Sequence, residues 1–163
     1  MKKPNIEKFH LAIHAGTMSV AAMILNAQGE VLGKSFAEIS QRNPETGWAE
    51  ADADEIWRAA LHTTHEVITK AGLYAEQIAA LSIASERGAV LLWDRVSKEP
   101  LTPVIPRYCA RTHKLTEGWK RKKWDKLILK KTGLPLADAY GAPKIVWLLE
   151  NNPGLMARAK KHE

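Results

Sequence analysis

Residues 9–39 read FHLAIHAGTMSVAAMILNAQGEVLGKSFAEI, and this stretch decides the fold. Phe9, Leu11 and Ile13 alternate with His10, Ala12 and His14, the period-two pattern of a strand with one buried face. Two further apolar runs follow, from Val20 to Leu25 and from Val31 to Ile39. Gly16-Thr17 separates the first pair of runs and Asn26-Ala27-Gln28-Gly29 separates the second pair. Connections this short, built of turn residues, fold the chain back on itself. The expectation is an antiparallel three-strand meander.

Downstream, residues 41–51 read as a loop containing Pro44 and Gly47. Asp52, with Glu55 three positions on, is the cap and capping-box signal of a helix start. Ile56, Ala60, Leu61, Thr64, Val67, Ile68 and Ala71 then recur at helical spacing, and Gly72 supplies the left-handed residue that ends the helix. An apolar strand is expected over 78–84 and another over 89–93, joined through Ser85-Glu86-Arg87-Gly88. A further short strand is expected over 101–105. Strands, a helix and more strands together give the α/β class, a mixed sheet with covering helices. Trp124, Leu127 and Ile128 lie at helical offsets in a segment closed by Thr132-Gly133. Pro143 reads as the first residue of a last helix carrying Ile145, Val146, Leu148 and Leu149, which stops near Asn152-Pro153.

The 163 residues, 45% hydrophobic and 26% charged, suit one globular domain, residues 1–163, with a core of its own. No apolar run approaches the ~20 residues that span a bilayer. Met1-Lys2-Lys3 leads into a strand rather than a signal sequence, so the cytoplasm is the expected compartment and no membrane partner is expected. Cys109 is the single cysteine, which excludes an intrachain disulfide and fits a reducing compartment. The net charge of +6 is concentrated between Lys114 and Lys131, in Lys114, Lys120, Arg121, Lys122, Lys123, Lys126, Lys130 and Lys131. A basic block can be a nucleic-acid footprint, but at helical spacing a solvated face is the favoured reading, and nucleic acid is not the expected partner. Trp119 and Trp124 interleave with these lysines, whereas Trp48, Trp57, Trp93 and Trp147 read as core or rim packing. His10 with His14, and His62 with His65, share faces. Spacing sets no third ligand, so ordinary surface or half-buried histidines are favoured and no metal site is expected. For Cys109 beside Arg107 and Tyr108, a structural role is favoured over a reactive thiol.

Four strings, taken in order, carry a resemblance. They are Ala12-Ile13-His14-Ala15-Gly16-Thr17, then Gly47-Trp48-Ala49-Glu50 running into Glu55-Ile56-Trp57, then residues 83–94 ending in Leu92-Trp93-Asp94, then Asp138-Ala139-Tyr140 with Lys144 and Trp147-Leu148-Leu149. Together they resemble the N-terminal lobe of the FGGY family of carbohydrate kinases, glycerol kinases above all. The resemblance implies a ribonuclease-H-like, actin-like ATPase lobe, here incomplete. It also implies ATP and magnesium as cofactors and a polyol or sugar as substrate.

In the resembled family the first turn reads Asp-x-Gly-Thr-Thr, with glycine and hydroxyls against phosphate and the carboxylate holding hydrated magnesium. The matching phosphate-site residues here are His14, Gly16 and Thr17. Met18 stands at the second threonine, and Ala21 at an arginine of the second strand. The resemblance implies Arg87 and Tyr140 as substrate-binding residues, while Gly88 stands at the glutamate beside that arginine and Arg107 at a tryptophan. No residue matches the family's catalytic base, which belongs to a second lobe, so no catalytic residue is assigned and ATP or magnesium binding is in question. The expectation is a kinase lobe inactive as an isolated chain. Two alternatives stay open: a non-catalytic binding or regulatory module using the basic face, or one half of a split kinase whose complementary lobe is another chain. An incomplete lobe also implies an uncovered sheet edge or last-helix face, and with it self-association.

Overall fold

The alternation at positions 9, 11 and 13 becomes β1 (Phe9–Ala15), followed by β2 (Ser19–Leu25) and β3 (Val31–Glu38). They pair as the meander requires, antiparallel from His10 with Leu25 to Ala15 with Val20, and from Ser19 with Glu38 to Leu25 with Val31. The second turn is locked by Asn26, whose side-chain oxygen accepts the Gln28 and Glu30 amides at 3.0 and 2.9 Å. This computed structural model describes residues 8–161. The chain falls into two units, one made of the stretch up to Ser40 with Asp54–Glu86, the other of Gln41–Ala53 with the chain from Arg87 onward.

In the first unit the sheet has the order β3-β2-β1-β6, where β6 (Ile78–Ser85) runs parallel to β1. A parallel neighbour needs a crossover, and α1 (Ala53–Lys70) supplies it. Val67 of α1 is fully buried in one cluster with Phe9, Leu11, Ala22 and Ile24, and Ile13, Ile68, Ala71, Leu73 and Ile78 pack round it. Each such large side chain is worth roughly 1.5–3 kcal/mol when buried. The inward face of α1 is Ala59, Thr63 and Val67, while Leu61 is 52% exposed. The expected stripe therefore holds at Val67 but is rotated in the first turns, because a face of small residues leaves little trace in a pattern of large apolar ones. Asp52 directly precedes the helix, and Glu55 accepts the Ser40 amide at 2.9 Å. Gly72, at φ +67°, closes α1 with the Leu73 amide on Ile68 O and the Gly72 amide on Thr69 O, which is a Schellman ending.

In the second unit, residues 41–51 are more than a loop. β4 (Gln41–Arg42) and β5 (Glu50–Ala51) form a two-residue hairpin ladder. The strands expected over 89–93 and 101–105 are reduced to single antiparallel bridges, Val90 with Ile105 and Trp93 with Pro100, and Ala51 bridges to Val104. Pro100, Pro103 and Pro106 have no amide to give, so a longer ladder cannot form there. The basic segment folds as two helices, α2 (His113–Arg121) and α3 (Trp124–Thr132), broken at Lys123, which is left-handed at φ 59°. Gly133 at φ +73° ends α3 as expected.

α4 (Gly141–Asn151) begins two residues before Pro143, which is its third residue rather than its first. The chain then continues into α5 (Pro153–Lys160), a helix not expected from the sequence and opened by Pro153 in its first turn. Ala49, Val90, Ile105, Cys109 and Leu148 form the core of this unit, with Trp48, Leu92 and Trp147 against it. Leu148 is buried and Ile145 is 42% exposed, so the apolar face expected on the last helix is only partly uncovered. Trp57 and Trp93, expected in core or rim, are 63% and 60% exposed.

Candidate functional site

The turn between β1 and β2 is closed by the Gly16 amide on Ser19 O at 2.9 Å. His14, the residue before the last of β1, is exposed and lies against the turn, since a Cβ on Gly16 would lie 3.0 Å from His14 Cε1 and 3.4 Å from its Nδ1. Met18 is 68% exposed. His14 and Ala21 are direct register partners. The positions where the resemblance implies a carboxylate and a guanidinium thus face each other across neighbouring strands, and both charges are missing together. With Met23, Ser82 and Ala84 they line an apolar dent of about 270 Å³.

What the turn retains for a phosphate is backbone amides and the Thr17 hydroxyl. What it presents to a metal is an imidazole, a poor match for hard, oxygen-seeking magnesium. The residues present do not fit a hydrated magnesium ion. Among the described residues, no three His, Cys, Asp or Glu side chains gather as a metal ion needs.

In the second unit the substrate positions implied by the resemblance come together in part. Gly88 adopts φ +82°, and a Cβ there would collide with Ala139 O, with Arg107 Cγ at 3.7 Å. Arg87 is exposed beside it, and Arg107 is exposed as well. Tyr140 is the half-buried residue before α4, and its amide donates to Ala137 O at 3.3 Å. The Asp138 carboxylate is taken by Thr116 Oγ1 and by His113 Nδ1, the latter at 3.1 Å. The structure therefore brings Gly88, Arg107 and the 138–140 segment to one place. At Gly88, where the resemblance implies a glutamate, the carbonyl of Ala139 stands where a side chain would begin.

Arg111 and Lys144 are buried, which the sequence did not indicate for either. Arg111 is 7% exposed, and its Nη2 pairs with Glu50 Oε1 at 2.7 Å. Its guanidinium carbon lies 4.4 Å from the centre of Trp48 and 4.9 Å from that of Trp147, rings that meet edge to face at 5.1 Å. Lys144 is completely buried. Arg111 could have been suspected only from its partners, because Trp48, Glu50 and Trp147 all belong to the quoted strings. Cys109 is buried, its sulfur taking the Ala49 amide at 3.4 Å and Arg111 Nε at 3.2 Å, contacts that suit a structural role.

Across α2, α3 and the break between them the eight basic residues are exposed, and no residue of α3 is buried. Trp119 and Trp124 lie 5.9 Å apart, with Lys122 Nζ 5.3 Å from the Trp124 ring centre. Glu117 takes Lys120 at 2.7 Å, which pulls the Glu117 carboxyl below the usual range and raises Lys120.

A four-stranded mixed sheet with one parallel edge, one crossover helix and a glycine turn between its first two strands is the layout of an actin-like ATPase lobe. The glycerol kinase of Plasmodium falciparum, in a crystal structure with ADP, has this fold with a TM-score of 0.86 at 24% identity, over 96% of this chain and 31% of that one. A gluconate kinase from Lactobacillus acidophilus has it with a TM-score of 0.81 at 20% identity, over 91% of this chain and 29% of that one. Residues 9–162 match the FGGY family of carbohydrate kinases, N-terminal domain, and the chain belongs to that family. Among curated relatives, the glycerol kinase of Sinorhizobium fredii is 38% identical over 94% of this chain and 31% of its own length. That of Ectopseudomonas mendocina is 37% identical over 97% and 32%. The chain thus spans about a third of the length of these relatives. Among the described residues no helix is long and apolar enough to cross a membrane.

Proposed function

We propose that this chain is the N-terminal lobe of a glycerol-kinase-like carbohydrate kinase whose parent reaction is ATP-dependent phosphorylation of a polyol or sugar hydroxyl, and that by itself it does not turn over. The observation that carries the second half is His14, an imidazole lying against the Gly16 turn and facing Ala21, where the family reading needs a carboxylate. Phosphoryl transfer depends on positioning and on neutralising charge at the phosphates, and this turn offers amides and one hydroxyl without that carboxylate. Arg87 and Tyr140 are the residues we assign to the polyol or sugar. The reading carries a cytoplasmic location with it.

The test is an ADP-release assay on the purified chain with ATP, magnesium and glycerol. No turnover is expected, and none from His14→Asp, which would restore a carboxylate opposite Ala21 without its guanidinium. Magnesium-dependent turnover with glycerol that vanishes in Thr17→Ala would overturn the reading. Turnover appearing only when a separately made second lobe is added would make the chain half of a split kinase.

A second reading is favoured by the charge distribution. The exposed basic residues between Lys114 and Lys131 hold the excess that gives the chain its +6, as a module docking on an anionic partner would. Binding of this kind falls steeply with salt, and a titration with single-stranded oligonucleotide at low and physiological salt is the direct measurement. Weak, salt-abolished binding is expected of a solvated face.

A further inference from the structure

Lys144, the fourth residue of α4, is buried as fully as Ile24 or Ile105. Taking an ammonium out of water costs several kcal/mol unless its protons find acceptors. The first turns of a helix add to that cost, because the dipole there is already positive. Main-chain oxygens answer the charge: Nζ donates to Asp138 O at 2.7 Å, to Tyr140 O at 3.4 Å and to Arg107 O at 3.5 Å. The carbonyl between the first two, Ala139 O, lies in the space that Gly88 leaves by having no Cβ.

From this geometry we infer that Lys144 is a positioning residue for the sugar-facing segment. Its ammonium holds carbonyls 138 and 140 while the vacancy at Gly88 admits carbonyl 139, so three successive carbonyls are placed by the two residues. The same ammonium ties that segment to the main chain at Arg107. The result is one fixed placement of Tyr140 relative to Arg107 and Gly88. A lysine suits the task because a compact ammonium on a long stem can point three donors in diverging directions, which a planar guanidinium cannot. The chemistry of the ligand, a polyol or sugar held by Tyr140, rests on the function proposed above. The grip itself does not.

The test uses the whole chain, labelled with nitrogen-15. In the unaltered protein the Lys144 ammonium should give a slowly exchanging side-chain resonance, identified by its proximity to Asp138 and Tyr140 and missing in Lys144→Met. In Lys144→Met the amides of Tyr140 and residues 141–142 should exchange about tenfold faster with solvent, as expected for the loss of a local restraint. The amides of Val90 and Ile105, bonded to each other's carbonyls at 3.0 and 2.8 Å, should keep their rates. Gly88→Ala should loosen the same amides while leaving the ammonium in place.

Unchanged Tyr140 exchange in Lys144→Met would overturn the inference, and so would acceleration shared equally by Val90 and Ile105, the mark of a merely structural lysine. If Lys144→Met does not fold, the unaltered protein still decides, because a rapidly exchanging Lys144 ammonium there refutes the grip. Calorimetry with glycerol separates the two readings. No glycerol binding together with the expected exchange pattern would remove the ligand and leave the positioning role intact.

Discussion

Replacing Arg111 by alanine should be among the most damaging single changes in the second unit. The side chain is 2% exposed against 22% for Glu50, its partner at 2.7 Å. Removing one member of a buried pair costs roughly 3–5 kcal/mol, because the other keeps its desolvation penalty. Glu50 can recover some water, which favours the lower end, about 3 kcal/mol. Two faces of contact with Trp48 and Trp147 add about 0.5–1 kcal/mol or more for a cation over aromatic rings. A loss of about 3–4 kcal/mol is then a large part of the ~5–15 kcal/mol margin of a domain. Urea unfolding followed by tryptophan fluorescence reads the change, since Trp48 and Trp147 are themselves the rings in contact. Glu50→Gln and the double variant complete a cycle, and a coupling of about 1–3 kcal/mol is expected for directly paired groups. A cost below about 1 kcal/mol for Arg111→Ala, or additivity within ~0.5 kcal/mol, would refute the reasoning.

Gly88→Glu, which would restore the family's carboxylate, should destabilise the chain by about 2–4 kcal/mol without creating glycerol binding, because a Cβ at φ +82° collides with Ala139 O; calorimetry showing glycerol binding by a normally stable variant would contradict this. Glu66 is held below the usual carboxylate range by Lys70 first and Ser35 second, so its stabilising share is present above the ordinary carboxylate pKa and is lost as pH falls through the lowered one. Unfolding curves of the natural chain and Glu66→Gln should therefore differ most near neutrality and draw together as pH falls below the ordinary carboxylate range, and a gap that widened in acid would reverse the sign. β6, an edge of the four-stranded sheet, leaves Leu81 and Ile83 55% and 68% exposed, so light scattering should detect self-association that Ile83→Lys reduces; a strictly monomeric natural chain would remove the argument.

The meander was legible because three strands separated by short turns leave both an alternation and a set of turn residues in the sequence. The parallel partner of β1 was legible only as an apolar run, since nothing local to residues 78–85 says which strand it will join. Lys144 was hidden for a different reason: a lysine at helical spacing is read as solvated, and its burial depends on carbonyls 4 to 37 positions away. That Gly88 stands where the resemblance implies a glutamate could be read from the motif, but not the carbonyl of Ala139 that lies where its Cβ would be. α5 was missed because Asn152-Pro153 ends one helix and starts another with the same residues. At the β1–β2 turn the residues at positions 14, 18 and 21 could be set against the resembled motif from the sequence, whereas the pairing of His14 with Ala21 needed the register of the sheet.

The second unit is discontinuous in the chain, with residues 41–53 made early and the rest only after residue 86. On a ribosome this order has a cost in time. The first unit has all its strands once residue 85 has emerged, yet Glu50 must wait for Arg111, 61 residues later. At ~5–20 residues per second the wait is roughly 3–12 s. Throughout that interval Trp48 and Glu50 belong to a nascent segment whose cationic partner does not yet exist, and for its last part, after residue 85, they sit between the two stretches that make up the first unit. That interval is when a holding chaperone would have most to cover.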